Sequence, residues 1–131
     1  MVALDTNVLV RFLVEDDAAQ TRRAKRLIRK TEAAGSSCYI SDVVVCELVW
    51  VLTSSYRVHR TEIAEVLRKL TTSRQMTFDA TDRITRALDA FTAGRGDFAD
   101  YLLHEHARRA GCETVATFDR VLLKEPGYTA P

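Results

Sequence analysis

The sequence predicts an α/β fold, a three-layer α/β/α domain built around a central parallel sheet of four to five short strands. Three observations lead there. Short apolar runs recur at residues Val2–Asp5, Cys38–Ile40, Met76–Phe78 and Glu113–Thr117. The stretches between them carry helical periodicity, and they are too long for hairpins, so successive strands must be joined by right-handed crossovers. With 131 residues, 47% of them apolar, and only five Gly and two Pro, no linker divides the chain, and a single domain over residues 1–131 is expected.

Each element has a local reason. Val8–Leu13 and Ala18–Ala34 read as helices, the second with Ala24, Leu27 and Ile28 on one stripe, and Gly35-Ser36-Ser37 ends that section. Ser41 is the expected N-cap of a helix from Asp42 to about Ser54 that is apolar on nearly every face, which predicts a buried helix with Trp50 and Val51 in the core. After Thr61, Ile63, Val66, Leu67 and Leu70 recur at helical spacing. Asp79 is the expected cap of a helix carrying Ile84, Ala87, Leu88 and Phe91. Ala93-Gly94-Arg95-Gly96 reads as a loop. Asp97 then opens a helix to about Ala110, with Ala99, Leu102, Leu103, His106 and Ala107 expected on its apolar stripe, and Gly111 stops it.

Nineteen Lys and Arg against eighteen Asp and Glu give a formal net charge of +1. A balance this even excludes capture of nucleic acid or a membrane surface by global charge, so any charged ligand must be met by local arrangement. No apolar run reaches the roughly 18 residues of a membrane span, and no leader pattern opens the sequence, so a cytoplasmic protein without a membrane partner is expected. The three cysteines, Cys38, Cys46 and Cys112, lie far apart in apolar surroundings and are expected to be buried thiols rather than disulfides or zinc ligands.

The acids are more informative than their number. In open parallel sheets ligands collect beyond the carboxyl ends of the strands, and Asp5 and Asp119 stand at two such ends. Asp97 follows a glycine loop at a helix start, with Asp100 in the same first turn. Glu47 interrupts the apolar helix, where burial costs several kcal/mol unless something pairs with the carboxylate. Taken singly, each Asp also fits ordinary helix capping, Asp100 fits a capping box with Asp97, and Glu47 fits a buried ion pair with an arginine. Gathered in one pocket, such carboxylates repel one another unless a divalent cation neutralises them, and all-oxygen ligation selects Mg²⁺ or Mn²⁺. The chemistry that follows is metal-assisted attack of water on a phosphodiester, with Asp119 or Asp100 available to orient the water or accept its proton.

On these residues the chain resembles the PIN-domain nucleases, and among them the VapC-type toxins of toxin–antitoxin pairs. The likeness rests on Leu4-Asp5-Thr6-Asn7-Val8-Leu9-Val10-Arg11, on Ser41 through Glu47-Leu48 to Trp50-Val51-Leu52, on Asp97-Phe98-Ala99-Asp100-Tyr101-Leu102-Leu103, and on Ala116-Thr117-Phe118-Asp119. The resemblance implies that Asp5, Glu47, Asp97 and Asp119 are the catalytic, metal-binding acids, with Asp100 a supporting acid. It makes Thr6, Asn7, Ser41 and Thr117 the hydrogen-bonding groups that hold them. It further implies a Mg²⁺- or Mn²⁺-dependent endoribonuclease that cuts cellular RNA, forms a homodimer and is silenced by a cognate antitoxin.

Other features fit this picture with competing structural uses. Arg22, Arg23, Lys25, Arg26, Arg29 and Lys30 crowd one helix, where Arg22 and Arg26 are candidate contacts for RNA backbone or an acidic antitoxin segment, or part of a solvated face. Arg95 is a candidate phosphate contact beside Asp97, or a surface arginine. His104 and His106 point to different helix faces and make a poor metal pair, and His59 reads as a surface residue. Two alternatives stay open: a catalytically silent metal-binding interaction module of the same fold, and a small phosphatase- or receiver-like phosphoryl-transfer domain. Against the latter, no second Asp stands two residues after Asp5.

Overall fold

A computed structural model describes all 131 residues. Five short strands and six α-helices alternate along the chain: β1 (Val2–Ala3), α1 (Thr6–Val14), α2 (Ala18–Ala33), β2 (Cys38–Ile40), α3 (Asp42–Ser54), α4 (Arg60–Thr72), β3 (Met76–Phe78), α5 (Thr81–Ala93), α6 (Phe98–Arg109), β4 (Val115–Ala116) and β5 (Tyr128–Thr129), with a 3₁₀ turn at Leu122–Lys124. Every strand pairing is parallel, in keeping with the α/β class expected. No helix is long and apolar enough to cross a membrane.

The contacts divide the chain into two compact units, Met1–Asp79 and Ala80–Pro131. In the first, the strands pair in the order β1-β2-β3, with Val2 opposite Cys38 and Cys38 opposite Met76. Helix α1 packs on α2 and α3, and α4 packs on β3 and α3. Leu9, Ile28, Cys38, Ile40, Val45, Leu48, Ile63 and Leu67 are essentially inaccessible to solvent. Ser41 caps α3 as its sequence suggests, its Oγ accepting the Val44 amide at 3.2 Å. In the second unit α5 packs on α6, and β4 pairs with β5, Val115 opposite Tyr128. The Phe91 and Phe98 rings meet edge to face, with centroids 5.9 Å apart.

Four expectations need correction, and each fails for a tertiary reason. Trp50 is 69% exposed and Val43 67% exposed, because of its apolar residues α3 fully buries only Val45, Leu48, Val49 and Leu52. The buried stripe of α6 is Phe98, Tyr101, Leu102 and Glu105, while Ala99 and Leu103 face solvent. Glu105 is admitted to that stripe because Arg86 Nε donates to it at 2.8 Å. Asp79 does not cap α5, whose N-cap is Ala80 without a side-chain bond. Its carboxylate instead accepts the Tyr39 hydroxyl at 2.5 Å and the Asp42 amide at 3.2 Å. Of the thiols only Cys38 is buried; Cys46 is half-buried, Cys112 is exposed, and none forms a disulfide. Gly111 does end α6, taking φ +89° just past the C-cap Ala110, a backbone state that L side chains rarely adopt.

Candidate active site

In the first unit, β1 runs through Leu4 to Asp5, which starts α1 from extended backbone and makes no side-chain capping bond. The commonplace use of an Asp at a helix start is therefore not realised, and its carboxylate is exposed. The next residue, Thr6, is buried, and its hydroxyl donates to Glu47 Oε2. That bond fixes the middle of α3 to the first turn of α1.

Glu47 itself is exposed, which overturns the expectation of a carboxylate sunk among apolar side chains. The helix is apolar around most of its circumference yet buries only part of it, so Val43, Glu47 and Trp50 share one open face at i, i+4 and i+7. The buried ion pair with arginine does not form. Cys46, beside it, is pushed up to about 11, first by burial and then by the charges of Asp42 and Glu47.

Asn7 lines a groove of about 430 Å³ between α1 and α2 together with Arg11, Gln20, Arg23 and Leu27. Arg22 and Arg26 are exposed and do not line it. Arg23 was legible as the groove-facing member of the basic run, since it flanks Ala24 and lies one turn before Leu27. Two further acids, Asp42 and Asp79, follow β2 and β3 as Asp5 follows β1. By sequence both stand where a helix cap or helix start is expected; in the structure Asp42 is buried and its amide donates to Asp79.

In the second unit, the loop before Asp97 is clamped from below. Tyr101 is 4% exposed; its hydroxyl accepts the Gly96 amide at 2.8 Å and donates to Glu125 at 2.6 Å. Glu125 also accepts the Arg95 amide at 2.8 Å. A Cβ on Gly94 would stand 2.1 Å from the Tyr101 hydroxyl, and one on Gly96 would stand 2.5 Å from Leu122, so both glycines are required by space. Glu125 carried no motif signal, and only the fold reveals its part. The Arg95 side chain remains exposed.

Asp97 is the N-cap of α6, and its amide donates to Asp100 Oδ2 at 3.1 Å. Burial holds Asp100 above the usual carboxylate range, and repulsion from Asp97, Asp119 and Glu125 adds to it, against the opposing pull of the Asp97 amide. These acids are thus near enough to Asp100 to disfavour its charge. Asp119 accepts the Val121 amide at 2.8 Å, and its own amide donates to Thr117 Oγ1 at 3.0 Å. Thr117 therefore fixes the backbone of Asp119 rather than its carboxylate.

No group of three or more His, Cys, Asp and Glu side chains converges closely enough to hold a metal ion. The donor chemistry nonetheless suits one. Asp5, Glu47, Asp97 and Asp119 are exposed carboxylates, and none of them enters an ion pair with Lys or Arg. Hard, uncompensated oxygens of this kind favour Mg²⁺ or Mn²⁺ over softer metals.

Comparison with known proteins adds two findings. A family model for the PIN domain matches residues 2–126. The chain is also 26% identical to a VapC ribonuclease of Aquifex aeolicus (strain VF5) over 121 residues, which cover 92% of this chain and 88% of the other.

Proposed function

Because the chain belongs to the PIN domain family, we propose that it is a VapC-type endoribonuclease that cuts cellular RNA with the help of Mg²⁺ or Mn²⁺. The family match runs through both compact units, and a single domain over residues 1–131 is part of the proposal. So are a cytoplasmic setting, a homodimer and restraint by a cognate antitoxin.

One observation carries the reading: Asp5, Glu47, Asp97 and Asp119 all fall within the matched span as exposed carboxylates that no basic side chain neutralises. These four would hold the ion, which supplies Lewis acidity and offsets the charge of a phosphodiester. The chain's own groups do the positioning. Thr6 orients Glu47, the Tyr101–Glu125 clamp holds the loop that delivers Asp97, and Thr117 holds the turn that delivers Asp119. Asp100, held above the usual range, is suited to take a proton from the attacking water. Arg95, Arg22 and Arg26 are offered as contacts for the RNA backbone.

The test is cleavage of RNA by the purified protein with Mn²⁺ or Mg²⁺. Chelator, Asp5→Asn and Glu47→Gln are each expected to abolish it. Undiminished cleavage in both variants would overturn the site assignment, and Mn²⁺ binding without cleavage of any RNA pool would leave a binding module instead.

A further inference from the structure

Asp97 and Asp119 belong to the same compact unit, Ala80–Pro131, but come from different elements: Asp97 caps α6, and Asp119 follows β4. The segment Leu122–Thr129 holds the turns of both. Along one edge it forms β5, where the Gly127 and Thr129 carbonyls accept the Val115 and Thr117 amides at 2.9 Å each. Thr117 Oγ1 in turn accepts the Asp119 amide at 3.0 Å. The side chains of the same segment grip the Asp97 turn. Glu125 accepts the Arg95 amide at 2.8 Å and the Tyr101 hydroxyl at 2.6 Å, and that hydroxyl accepts the Gly96 amide. Tyr128 donates from its hydroxyl to the Asp100 carbonyl at 3.1 Å.

Tyr128 serves both attachments. Its backbone stands opposite Val115 in the ladder, and its ring lies against His104, one turn after Asp100 in α6, with centroids 5.4 Å apart. Gly127 makes that approach possible, since a Cβ there would stand 2.2 Å from His104 Nε2. A cavity of about 330 Å³ opens between the segment and helices α5 and α6, with Ala90, Ala93, His104, Glu105, Pro126 and Tyr128 in its walls. Side chains beside a void lack neighbours on that side, so the hydrogen bonds carry more of the positioning than packing does. The charge at Glu125 has a cost, because it adds to the repulsion on Asp100. A glutamine would accept the same bonds without it; what the carboxylate adds is a stronger grip on Tyr101 and the Arg95 amide.

We propose that Leu122–Thr129 is a brace that sets the separation of the Asp97 and Asp119 carboxylates, with Glu125 and Tyr128 as its positioning residues. The proposal rests on the ribonuclease reading above and deepens it. Oxygens that share one ion tolerate little misplacement, and groups that orient such ligands are worth about ten- to hundredfold in affinity or activity.

The test uses the full-length protein and Mn²⁺ as the probe, first by calorimetry without RNA and then in RNA cleavage. Tyr128→Phe removes the hydroxyl and keeps the ring. Its Kd for Mn²⁺ is expected to rise about tenfold, and its kcat to fall by about as much with little change in KM, because no contact to RNA is removed. Glu125→Ala is expected to do the same, and Glu125→Gln, which still accepts hydrogen bonds, to restore most of the loss. Amide exchange in chelator reads the brace without metal. Glu125→Ala should speed exchange at Thr117 as well as at Gly96, although the side-chain bonds of Glu125 go to the Asp97 turn. If Glu125→Ala does not fold, Tyr128→Phe carries both readouts, with Thr117 again expected to exchange faster. Variants that lower the denaturant midpoint yet keep wild-type Mn²⁺ affinity and kcat overturn the proposal, since the bonds would then serve stability alone. Unchanged Thr117 exchange overturns it as well. Variants that lose Mn²⁺ affinity in a protein that cuts no RNA would leave the brace standing and remove the ribonuclease reading.

Discussion

At the scale of single residues, burial and neighbouring charge decide which thiols can ionise. Cys46 has its pKa pushed up to about 11 by burial and by the adjacent carboxylates, so at neutral pH it is almost wholly the unreactive thiol. Cys112 is exposed and Cys38 is buried. Iodoacetamide at pH 7.5 should therefore modify Cys112 first and leave Cys46 intact, as peptide mass mapping would show. Rapid labelling of Cys46 would mean that the α3 face is open in a way its burial does not allow. Gly94 gives a second residue-level case. A Cβ there meets the Tyr101 hydroxyl at 2.1 Å and Glu125 Oε1 at 2.4 Å, so Gly94→Ala must push the clamp apart. A cost of about 1–3 kcal/mol is expected from overpacking, measurable as a lower denaturant midpoint. An unchanged midpoint would show that the loop before Asp97 is not held as described.

At the scale of elements, α1 and the C-terminal end of α3 are tied through Tyr56. Its hydroxyl donates to Asp16 Oδ2 at 2.7 Å, and Arg11 reaches Asp16 Oδ1 at 2.7 Å and the Tyr56 oxygen at 3.3 Å. The Tyr56 hydrogen bond is the first cause that holds Asp16 below the usual carboxylate range, with Arg11 assisting. A depressed folded-state pKa contributes stability above the unfolded value, and that contribution is lost as pH falls through the folded one. Resistance to thermal unfolding should therefore fall, in part through this residue, as the pH drops below the ordinary carboxylate value. Tyr56→Phe should flatten that part of the profile by lowering stability at neutral pH, where Asp16 is ionised, while changing little in strong acid. A variant with the wild-type slope would place the acid sensitivity elsewhere, for instance at Asp82, whose carboxyl is lowered by Arg86.

Element boundaries also show how far local signals reach. The strands at Cys38–Ile40 and Met76–Phe78 and the caps at Ser41 and Asp97 are where the sequence puts them, because period-2 apolar runs and capping side chains act within a few residues. The faces of α3 and α6 were harder to read. Both helices have more apolar residues than they bury, and the choice among Val43, Val45, Leu48 and Trp50 is made by α1 and α4 packing against one side only. The strand at Tyr128–Thr129 is too short and too polar to register as a pattern, and it exists because Val115 and Ala116 offer it a ladder.

At the scale of the whole molecule, the proposed ion is a ligand of the folded state. Anything that binds the native chain and not the unfolded one raises stability by RT ln(1 + [L]/Kd), about 2.7 kcal/mol at a hundredfold excess over Kd. Millimolar Mn²⁺ should therefore raise the Tm of the wild-type protein by several degrees and leave Asp97→Asn nearly unmoved. Equal shifts in both proteins would point to ions held elsewhere on the surface. This measurement needs no RNA, so it separates metal binding from catalysis.

The sequence by itself determined the α/β class, the alternation of elements and the acids at the strand ends and helix starts, since each follows from periodicity and capping over a few neighbouring residues. Only the tertiary structure decided that Glu47 stands in solvent held by Thr6, forty-one residues away in the chain, that Trp50 faces outward, and that Glu125 braces the loop before Asp97. The physical reason is the same in each case. A hydrogen bond or a buried face between distant segments is chosen by packing, and packing leaves no period in the sequence.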